Sequence, residues 1–169
     1  MNPRESRRGF LGLGSNQGDR RAHLRAAIEA LGASGAEVSA ASSVYETAPV
    51  GEYPGEQQDF LNMVVEIHTE LGPHELLELC KEIEAGRGRD FDAPRHGPRP
   101  LDLDILLLGG EEVDDARLRI PHGALTERRF VLDPLAEIAP REALPGGVRA
   151  SEARTAVSDQ RAERVGPLG

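Results

Sequence analysis

The sequence contains few aromatic residues and one cysteine. It has no Trp, four Phe and two Tyr among 169 residues, so the core must be built mainly from Leu, Ile, Val and Ala. An aromatic side chain beside a polar motif is therefore informative. The one cysteine, Cys80, excludes an internal disulfide, and its place in an apolar helical pattern predicts a packing residue in a reducing compartment.

The sequence also lacks long apolar runs and an excess of positive charge. No run approaches the length of a membrane span, and the charged residues 1–8 lack the apolar segment of a signal peptide. We expect residues 1–8 to be a frayed tail and the protein to be cytoplasmic. The net charge of −9 argues against nucleic-acid binding and against attraction to anionic membranes.

The most informative stretch is an acidic pair inside an apolar strand. Pro98 and Pro100 favour an extended backbone, and the Leu and Ile residues after them predict a buried strand that begins near Leu101. Alternation divides this strand into two faces, Leu101, Leu103, Ile105 and Leu107 on one and Asp102, Asp104, Leu106 and Leu108 on the other. The two carboxylates lie roughly 6–7 Å apart at Cα. They are close enough to share divalent cations, and burying them without a cation is costly.

Two interpretations of the acidic pair remain open at this point. In the first, the pair only solvates the exposed end of a half-buried strand. In the second, it binds a metal-bound polyphosphate, because a group of arginines lies just upstream, at Arg87, Arg89, Arg95 and Arg99. Guanidinium groups bind phosphate oxygens in pairs, and Mg²⁺ bridges such oxygens. The combination favours a nucleoside triphosphate, although a charged run of this kind also suits a solvated surface.

The rest of the pattern predicts alternating strands and helices. Strands are predicted at residues 10–14, 37–45, 60–69 and 118–120, in addition to the strand from Leu101. Helices are predicted after Asp19, ending at Gly32, and from Pro73 to about Gly86. The order predicts an α+β fold, a ferredoxin-like α/β sandwich with a mixed or antiparallel sheet, helices packed on it and C-terminal additions. Residues 141–169 are expected to be peripheral, with a helix or partial disorder over 151–165.

A second polar motif lies at the start of the predicted strand 60–69. Phe60 and Asn62 project from the same face. A ring beside a carboxamide offers a stacking surface and a group that both donates and accepts hydrogen bonds, as a flat heterocycle requires. The alternative, in which Phe60 belongs to the core and Asn62 to a turn, stays open. His122 is likewise either a structural hydrogen bonder or, with the nearby Arg117 and Arg128, part of a phosphate site.

Five motifs occur in the order found in one protein family. They are Gly12-Leu13-Gly14-Ser15-Asn16, Tyr45-Glu46-Thr47, Phe60-Leu61-Asn62, Gly97-Pro98-Arg99-Pro100-Leu101-Asp102-Leu103-Asp104-Ile105 and Ile120-Pro121-His122. Through them, residues 10 to about 140 resemble the 6-hydroxymethyl-7,8-dihydropterin pyrophosphokinases of folate biosynthesis. The resemblance implies transfer of the terminal diphosphate of ATP to the hydroxymethyl group of the pterin, with release of AMP. The length suits a single catalytic domain over residues 1–169, and we expect it to act on small molecules as a monomer.

The resemblance further implies a role for each matching position. Asp102 and Asp104 would hold two Mg²⁺ ions on the triphosphate, and Arg89 and Arg99 would act with them in catalysis. The positions implied in ATP binding are Lys81, Glu84, Arg95, Arg99, Arg117 and His122. The positions implied in pterin binding are Thr47, Ala48, Val50, Phe60, Asn62, Arg128 and Phe130.

Two other classes of function compete with this interpretation. One is a metal-dependent enzyme of the same fold that transfers a phosphoryl or nucleotidyl group to another heterocycle, and it would release ADP or free pyrophosphate in place of AMP. The other is a non-catalytic regulatory or RNA-binding domain. The acidic, aromatic-poor composition argues against an RNA binder, and a regulatory domain would not need Asp102 and Asp104 beside arginines.

Four positions depart from the family pattern in and near the implied nucleotide site. His96 stands where Trp is common, Gly123 where an aromatic residue is usual, and Phe91 and Asp92 where basic residues are frequent. Because fewer cations reach the phosphates, we expect ATP with Mg²⁺ to bind more weakly than in relatives with the full cationic loop. Calorimetric titration of both proteins in one buffer measures this, and a dissociation constant as tight as theirs would contradict it.

Overall fold

The computed structural model describes residues 5–49, 55–93, 97–160 and 162–169, and the regular elements of these ranges follow one another as strands and helices. In chain order they are β1 (Arg7–Ser15), α1 (Arg20–Ala33), β2 (Ala36–Ala41), β3 (Val44–Thr47), β4 (Phe60–Thr69), α2 (Pro73–Gly86), β5 (Asp102–Leu108), β6 (Val113–Asp114), β7 (Arg119–Ile120), α3 (Arg129–Ile138), α4 (Ala150–Ala156) and β8 (Glu163–Gly166).

Six of the strands form one antiparallel sheet. Its order is β5-β1-β4-β3-β8, and β2 pairs with β4 on the same edge as β3. The strands β6 and β7 form a separate hairpin. The predicted α+β class, with an antiparallel sheet and helices packed on it, is confirmed. Within the ranges given above, no helix is long and apolar enough to cross a bilayer.

Each face of the sheet is covered by its own helices. Leu11 and Met63 pack with α1 and α2 on one face, whereas Val64 and Leu106 pack with α3 and α4 on the other. The predicted alternation of β4 is confirmed, because its buried residues on the first face are Leu61, Met63, Val65 and Ile67. The start of the second face is not covered by these helices, and that uncovered start carries Phe60 and Asn62.

A β-bulge corrects the predicted faces of β5. Leu11 pairs with Ile105, but the preceding Phe10 pairs with Leu107, so Leu106 is an extra residue. Beyond the bulge the alternation reverses, and Leu107 joins the α3 side while Leu108 joins the α1 and α2 side. The strand before the bulge keeps the predicted alternation, which leaves the two aspartates on one face.

Two predicted strand boundaries are wrong. Residues 37–45 form two strands instead of one, because Ser42 interrupts the ladder. Its Oγ accepts the N–H of Val64 at 2.9 Å and donates to the carbonyl of Ser43 at 2.7 Å, so its side chain takes bonds that a regular strand would make. At the other boundary, β1 already begins at Arg7, which pairs with Thr69, within the segment expected to be frayed.

The C-terminal segment is more ordered than the prediction of a helix or partial disorder over 151–165. The helix α4 ends at Ala156, and β8 then adds an edge strand to β3. Leu168 packs against the core between the sheet and the helices α1 and α2. Its carbonyl accepts hydrogen bonds from Arg21 and Arg25, both at 3.4 Å. The few apolar residues of this segment did not predict β8, because an edge strand needs little buried apolar surface.

Cys80 should be chemically inert in the folded protein. Its side chain is 1% exposed on α2, and burial, followed by the nearby Glu84, raises the pKa of the thiol to about 12. At pH 8 only about one thiol in ten thousand is then ionised. We expect no reaction with a disulfide reagent in native buffer and one equivalent in 8 M urea as the control. Rapid stoichiometric labelling of the native protein would contradict the buried position.

Candidate active site

A cavity of about 340 Å³ opens at the end of the sheet where β1, β4 and β5 lie side by side. Its lining consists of Thr47, Ala48, Phe60, Asn62, Lys81, Glu84, Arg89, Gly97, Arg99, Asp102, Leu103, Asp104, His122, Arg128 and Phe130. Positions far apart in the sequence therefore meet in one place, including both aspartates, the aromatic and amide pair, and cations from three segments.

Three of the implied site residues do not appear in this lining. Arg117 lies outside the cavity, because its exposed guanidinium forms an ion pair with Glu78 of α2. Val50 and Arg95, as well as His96, fall outside the described residues. All other implied positions line the cavity.

Two glycines of β1 lie opposite the two aspartates of β5. Gly12 lies opposite Asp104 and Gly14 lies opposite Asp102, while Gly14 also faces Asn62 on the other neighbouring strand. A Cβ atom at Gly14 would come within 2.9 Å of the Asn62 Oδ1 atom. This role was not predicted from the sequence, although two glycines spaced by two residues within a strand indicate a close approach of other groups to the backbone.

The two aspartates are in unequal environments. Asp102 accepts hydrogen bonds from Arg89 at 2.7 Å and from Arg99 at 3.3 Å. Asp104 has no hydrogen-bond donor among the described residues, and Nε2 of the His122 ring lies 4.0 Å from one of its oxygens. The side chain of Asp104 is 46% exposed. Desolvation by the cavity walls, followed by the negative charges of Asp102 and Glu84, raises the pKa of Asp104 to about 7. Asp104 thus has an oxygen free for a cation, and a cation would relieve the repulsion.

Arg89 is held by a buried acid from the neighbouring helix. Its Nη1 donates to Glu84 at 2.5 Å and to the carbonyl of Leu101 at 3.3 Å, in addition to Asp102. Glu84 is 2% exposed and also accepts the N–H of Leu103 at 3.0 Å. Burial raises the pKa of Glu84, and Arg89 opposes that rise. Glu84 therefore supports Arg89 and the start of β5 from below the cavity.

Asn16 connects two segments that border the cavity. Its Oδ1 accepts the N–H of Arg99 at 2.7 Å, and its own N–H donates to the carbonyl of Arg99 at 3.0 Å. Its Nδ2 donates to the Oε1 of Gln57 at 2.8 Å and to the carbonyl of Gln58 at 3.1 Å. Since Asn16 is 1% exposed, these bonds are shielded from water, and they fix the backbone of Arg99.

Aromatic and polar groups line the opposite side of the cavity. The amide nitrogen of Asn62 donates to Oγ1 of Thr47 at 2.6 Å, and in this orientation Oδ1 is left as an acceptor. The guanidinium of Arg128 lies 5.5 Å from the centre of the Phe130 ring. With Phe60, these groups offer two rings and an amide acceptor, as a flat heterocycle requires.

The tautomer of His122 follows from its backbone contacts. Its Nδ1 accepts the N–H of Ala124 at 3.1 Å, so a neutral ring carries its proton on Nε2, the atom that faces Asp104. Burial, followed by the neighbouring Arg128 and Arg119, lowers the pKa of His122. The ring is therefore a neutral N–H donor at the edge of the cavity at pH 7.

The acidic pair suits Mg²⁺ bound together with a phosphate ligand. No cluster of three or more His, Cys, Asp or Glu side chains that would hold a metal unaided occurs within the described ranges. Mg²⁺ prefers oxygen ligands and is bound through one or two carboxylates, waters and substrate phosphates. The free oxygen of Asp104 beside Asp102 fits that chemistry.

Comparison with known sequences identifies related proteins. The sequence model of one family, described as 7,8-dihydro-6-hydroxymethylpterin-pyrophosphokinase (HPPK), matches residues 10–140. The 2-amino-4-hydroxy-6-hydroxymethyldihydropteridine pyrophosphokinase of Methylorubrum extorquens is 48% identical over 94% of this chain and 98% of its own. The enzyme of the same name from Bacillus subtilis is 46% identical over 92% of this chain and 88% of its own.

Comparison with solved structures finds the same fold at low sequence identity. A crystal structure of an HPPK-DHPS in complex with substrates matches 94% of this chain and 44% of its own, with a TM-score of 0.71 and 13% identity. A Plasmodium falciparum HPPK-DHPS variant with pterin and p-hydrobenzoate matches 94% of this chain and 46% of its own, with a TM-score of 0.69 and 14% identity. At these identities the likeness concerns the fold alone.

Gly14→Ala should destabilise the protein and Gly12→Ala should not. The added methyl at position 14 meets Asn62 Oδ1 at 2.9 Å, whereas at position 12 the nearest atom is a Leu106 side-chain carbon at 3.7 Å. We expect Gly14→Ala to lower the free energy of unfolding by ~1–2 kcal/mol. Urea denaturation of the two variants and the wild type measures this, and equal stabilities would contradict the close approach at Gly14.

Proposed function

The chain belongs to the 7,8-dihydro-6-hydroxymethylpterin-pyrophosphokinase family, and we propose that Asp102 and Asp104 carry the family reaction by binding two Mg²⁺ ions with the triphosphate of ATP. The reaction is pyrophosphoryl transfer from ATP to hydroxymethyldihydropterin, a step of folate biosynthesis that gives AMP and the pterin diphosphate. The observation that carries the proposal is the carboxylate of Asp104, which faces the cavity beside Asp102 with no hydrogen-bond donor among the described residues.

The proposed nucleotide half of the site is the cationic side of the cavity. Mg²⁺ held by the aspartates would neutralise charge on the triphosphate oxygens. Arg89 and Arg99 adjoin Asp102 at 2.7 and 3.3 Å, so their remaining N–H groups would reach phosphate oxygens next to the metal. Lys81 and the Nε2 proton of His122 would supply two further donors. Glu84 acts in this scheme by holding Arg89.

Phosphate contacts are also proposed for two further arginines, Arg117 and Arg95. The ion pair of Arg117 with Glu78 argues for a peripheral position, so a contact with ATP would require that pair to open. Arg95 lies outside the described residues, and its role stays a prediction from the resemblance.

The proposed pterin half of the site is the aromatic side of the cavity. The ring would lie between Phe60 and Phe130. The free Oδ1 of Asn62 would accept an N–H from the edge of the ring, because its amide nitrogen is already bonded to Thr47. Ala48 and Arg128 border the same space, and Val50, outside the described residues, stays a predicted contact.

The residues of this cavity lower the barrier mainly by position and charge. In the transfer, the pterin hydroxyl oxygen forms a bond to the β-phosphorus while the bond from that phosphorus to the AMP oxygen breaks in line. Arg89 and Arg99 would stabilise charge on the equatorial oxygens and hold the reacting groups in this geometry. Asp104 is the closest candidate to accept the hydroxyl proton, but a metal-bound carboxylate is a weak base, so no general base is assigned.

Three broader properties remain proposals. We propose that residues 1–169 form a single catalytic domain, that it acts as a monomer, and that it works in the cytoplasm. The buried, unpaired Cys80 supports a reducing compartment.

Asp102→Ala tests the proposed metal pair. Because removal of one electrostatic group of an active site typically costs 10²–10³-fold in rate, we expect AMP formation to fall by at least about 10²-fold. The assay measures AMP from ATP and Mg²⁺, with and without 6-hydroxymethyl-7,8-dihydropterin, for the wild type and the variant.

Asp159→Ala is the matched control. This exposed aspartate lies between α4 and β8 and does not line the cavity. Its removal should leave the rate unchanged. A rate within tenfold of the wild type for Asp102→Ala would contradict the metal pair. Release of ADP by the wild type would contradict diphosphate transfer and favour a phosphoryl transferase.

A further inference from the structure

The side chain of Gln160 bridges two backbone groups on either side of Arg128. Its Nε2 donates to the carbonyl of Glu127 at 2.7 Å, and its Oε1 accepts the N–H of Arg129 at 2.9 Å. Gln160 lies in the C-terminal segment, beyond the residues 10–140 that the family sequence model matches. A residue remote in sequence thus restrains the peptide groups that flank a cavity residue.

A second set of bonds ties the same turn to the C-terminal segment. The Nη1 of Arg129 donates to the carbonyls of Ser158 at 3.0 Å and Gln160 at 2.5 Å, while its Nε donates to Asp133 at 2.9 Å. Asp133 is 4% exposed and also accepts from Arg154 of α4 at 2.7 Å. The side chain of Arg129 and the segment around Gln160 are therefore fixed to each other and to α3.

The local sequence offers no substitute for Gln160. Arg129 begins α3, and the first N–H groups of a helix lack acceptors within the helix. The preceding residue, Arg128, has an extended backbone and gives no side-chain cap, unlike the Ser, Thr, Asp or Asn usual there. Gln160 supplies the missing acceptor from a distant part of the chain.

Arg128 is the residue whose direction this arrangement controls. Its guanidinium lines the cavity and lies over Phe130 at 5.5 Å. Asp104 and His122 line the same cavity. With the peptide groups on both sides held, rotation about the Arg128 backbone is restricted, and the guanidinium keeps its place over the Phe130 ring.

We infer that Gln160 is a positioning residue for the reaction, which acts through Arg128 on the pterin half of the site. The inference rests on the proposed function of that half. It assigns a role in substrate binding to the C-terminal segment, although no residue of that segment lines the cavity in the part of the chain that the structure describes.

Gln160→Ala is the direct test. The substitution removes both side-chain bonds of Gln160 and keeps the bond from the Arg129 guanidinium to the backbone carbonyl of residue 160. With 6-hydroxymethyl-7,8-dihydropterin varied at saturating ATP and Mg²⁺, we expect kcat/KM for the pterin to fall about tenfold, which corresponds to ~1.4 kcal/mol. The KM for ATP should stay within about twofold, because Arg89 and Arg99 are held by other contacts.

A double-mutant cycle separates positioning from general support. If Gln160 acts through Arg128, its replacement should have no further effect on kcat/KM in an Arg128→Ala background. The control is Asp159→Ala, one residue away, whose exposed side chain has no ion-pair or hydrogen-bond partner among the described residues and should leave both KM values unchanged. Urea denaturation of the wild type and the four variants reports any loss of stability.

Contrary results distinguish failure of the inference from failure of the proposed function. A pterin kcat/KM of Gln160→Ala within twofold of the wild type would overturn the inference. So would equal losses with and without Arg128, or a parallel rise of both KM values with reduced stability, because each indicates a structural role only. Absence of AMP formation by the wild type would instead overturn the proposed function.

Discussion

Asp102 and Asp104 share one open face of β5 because the neighbouring strand carries glycine at both opposing positions. A side chain at Gly14 would meet Asn62 at 2.9 Å, and one at Gly12 would project beside Leu106 at 3.7 Å, on the face that carries the carboxylates. The openness leaves two like charges close together, and only one is neutralised by hydrogen bonds. Arg89 and Arg99 bind Asp102. The charge of Asp104 is not neutralised in this way, and a bound cation would lower its energy.

The groups that surround the acidic pair are held by residues placed behind them. Glu84 of α2 holds Arg89, and the buried Asn16 holds the backbone of Arg99. Gln160 holds the turn that carries Arg128 in the same way. Long, flexible cations lose much conformational freedom when they are fixed, so each has a support from a different element of the fold. Preorganised charge of this kind is what phosphoryl transfer requires.

The faces of the strands were predicted better than the element boundaries. Period-two alternation placed Asp104 and Phe60 correctly, because both precede any irregularity of their strands. Leu107 was assigned to the wrong face because a bulge changes register without a local sequence signal. Ser42 broke a predicted strand through its own side-chain bonds, and Arg117 turned to a surface acid instead of the cavity. The bulge, the side-chain bonds of Ser42 and the ion pair of Arg117 depend on contacts with residues distant in the chain, which one sequence does not reveal.

The pKa of Asp104 in the metal-free protein tests the central claim most directly. It is measured by NMR from the pH dependence of the side-chain carboxyl carbon, assigned with Asp104→Asn. An unneutralised carboxylate beside Asp102 predicts a midpoint near pH 7, which falls markedly when Mg²⁺ and a non-hydrolysable ATP analogue are added. A midpoint near the ordinary value of about 4, unchanged by Mg²⁺ and nucleotide, would contradict the account.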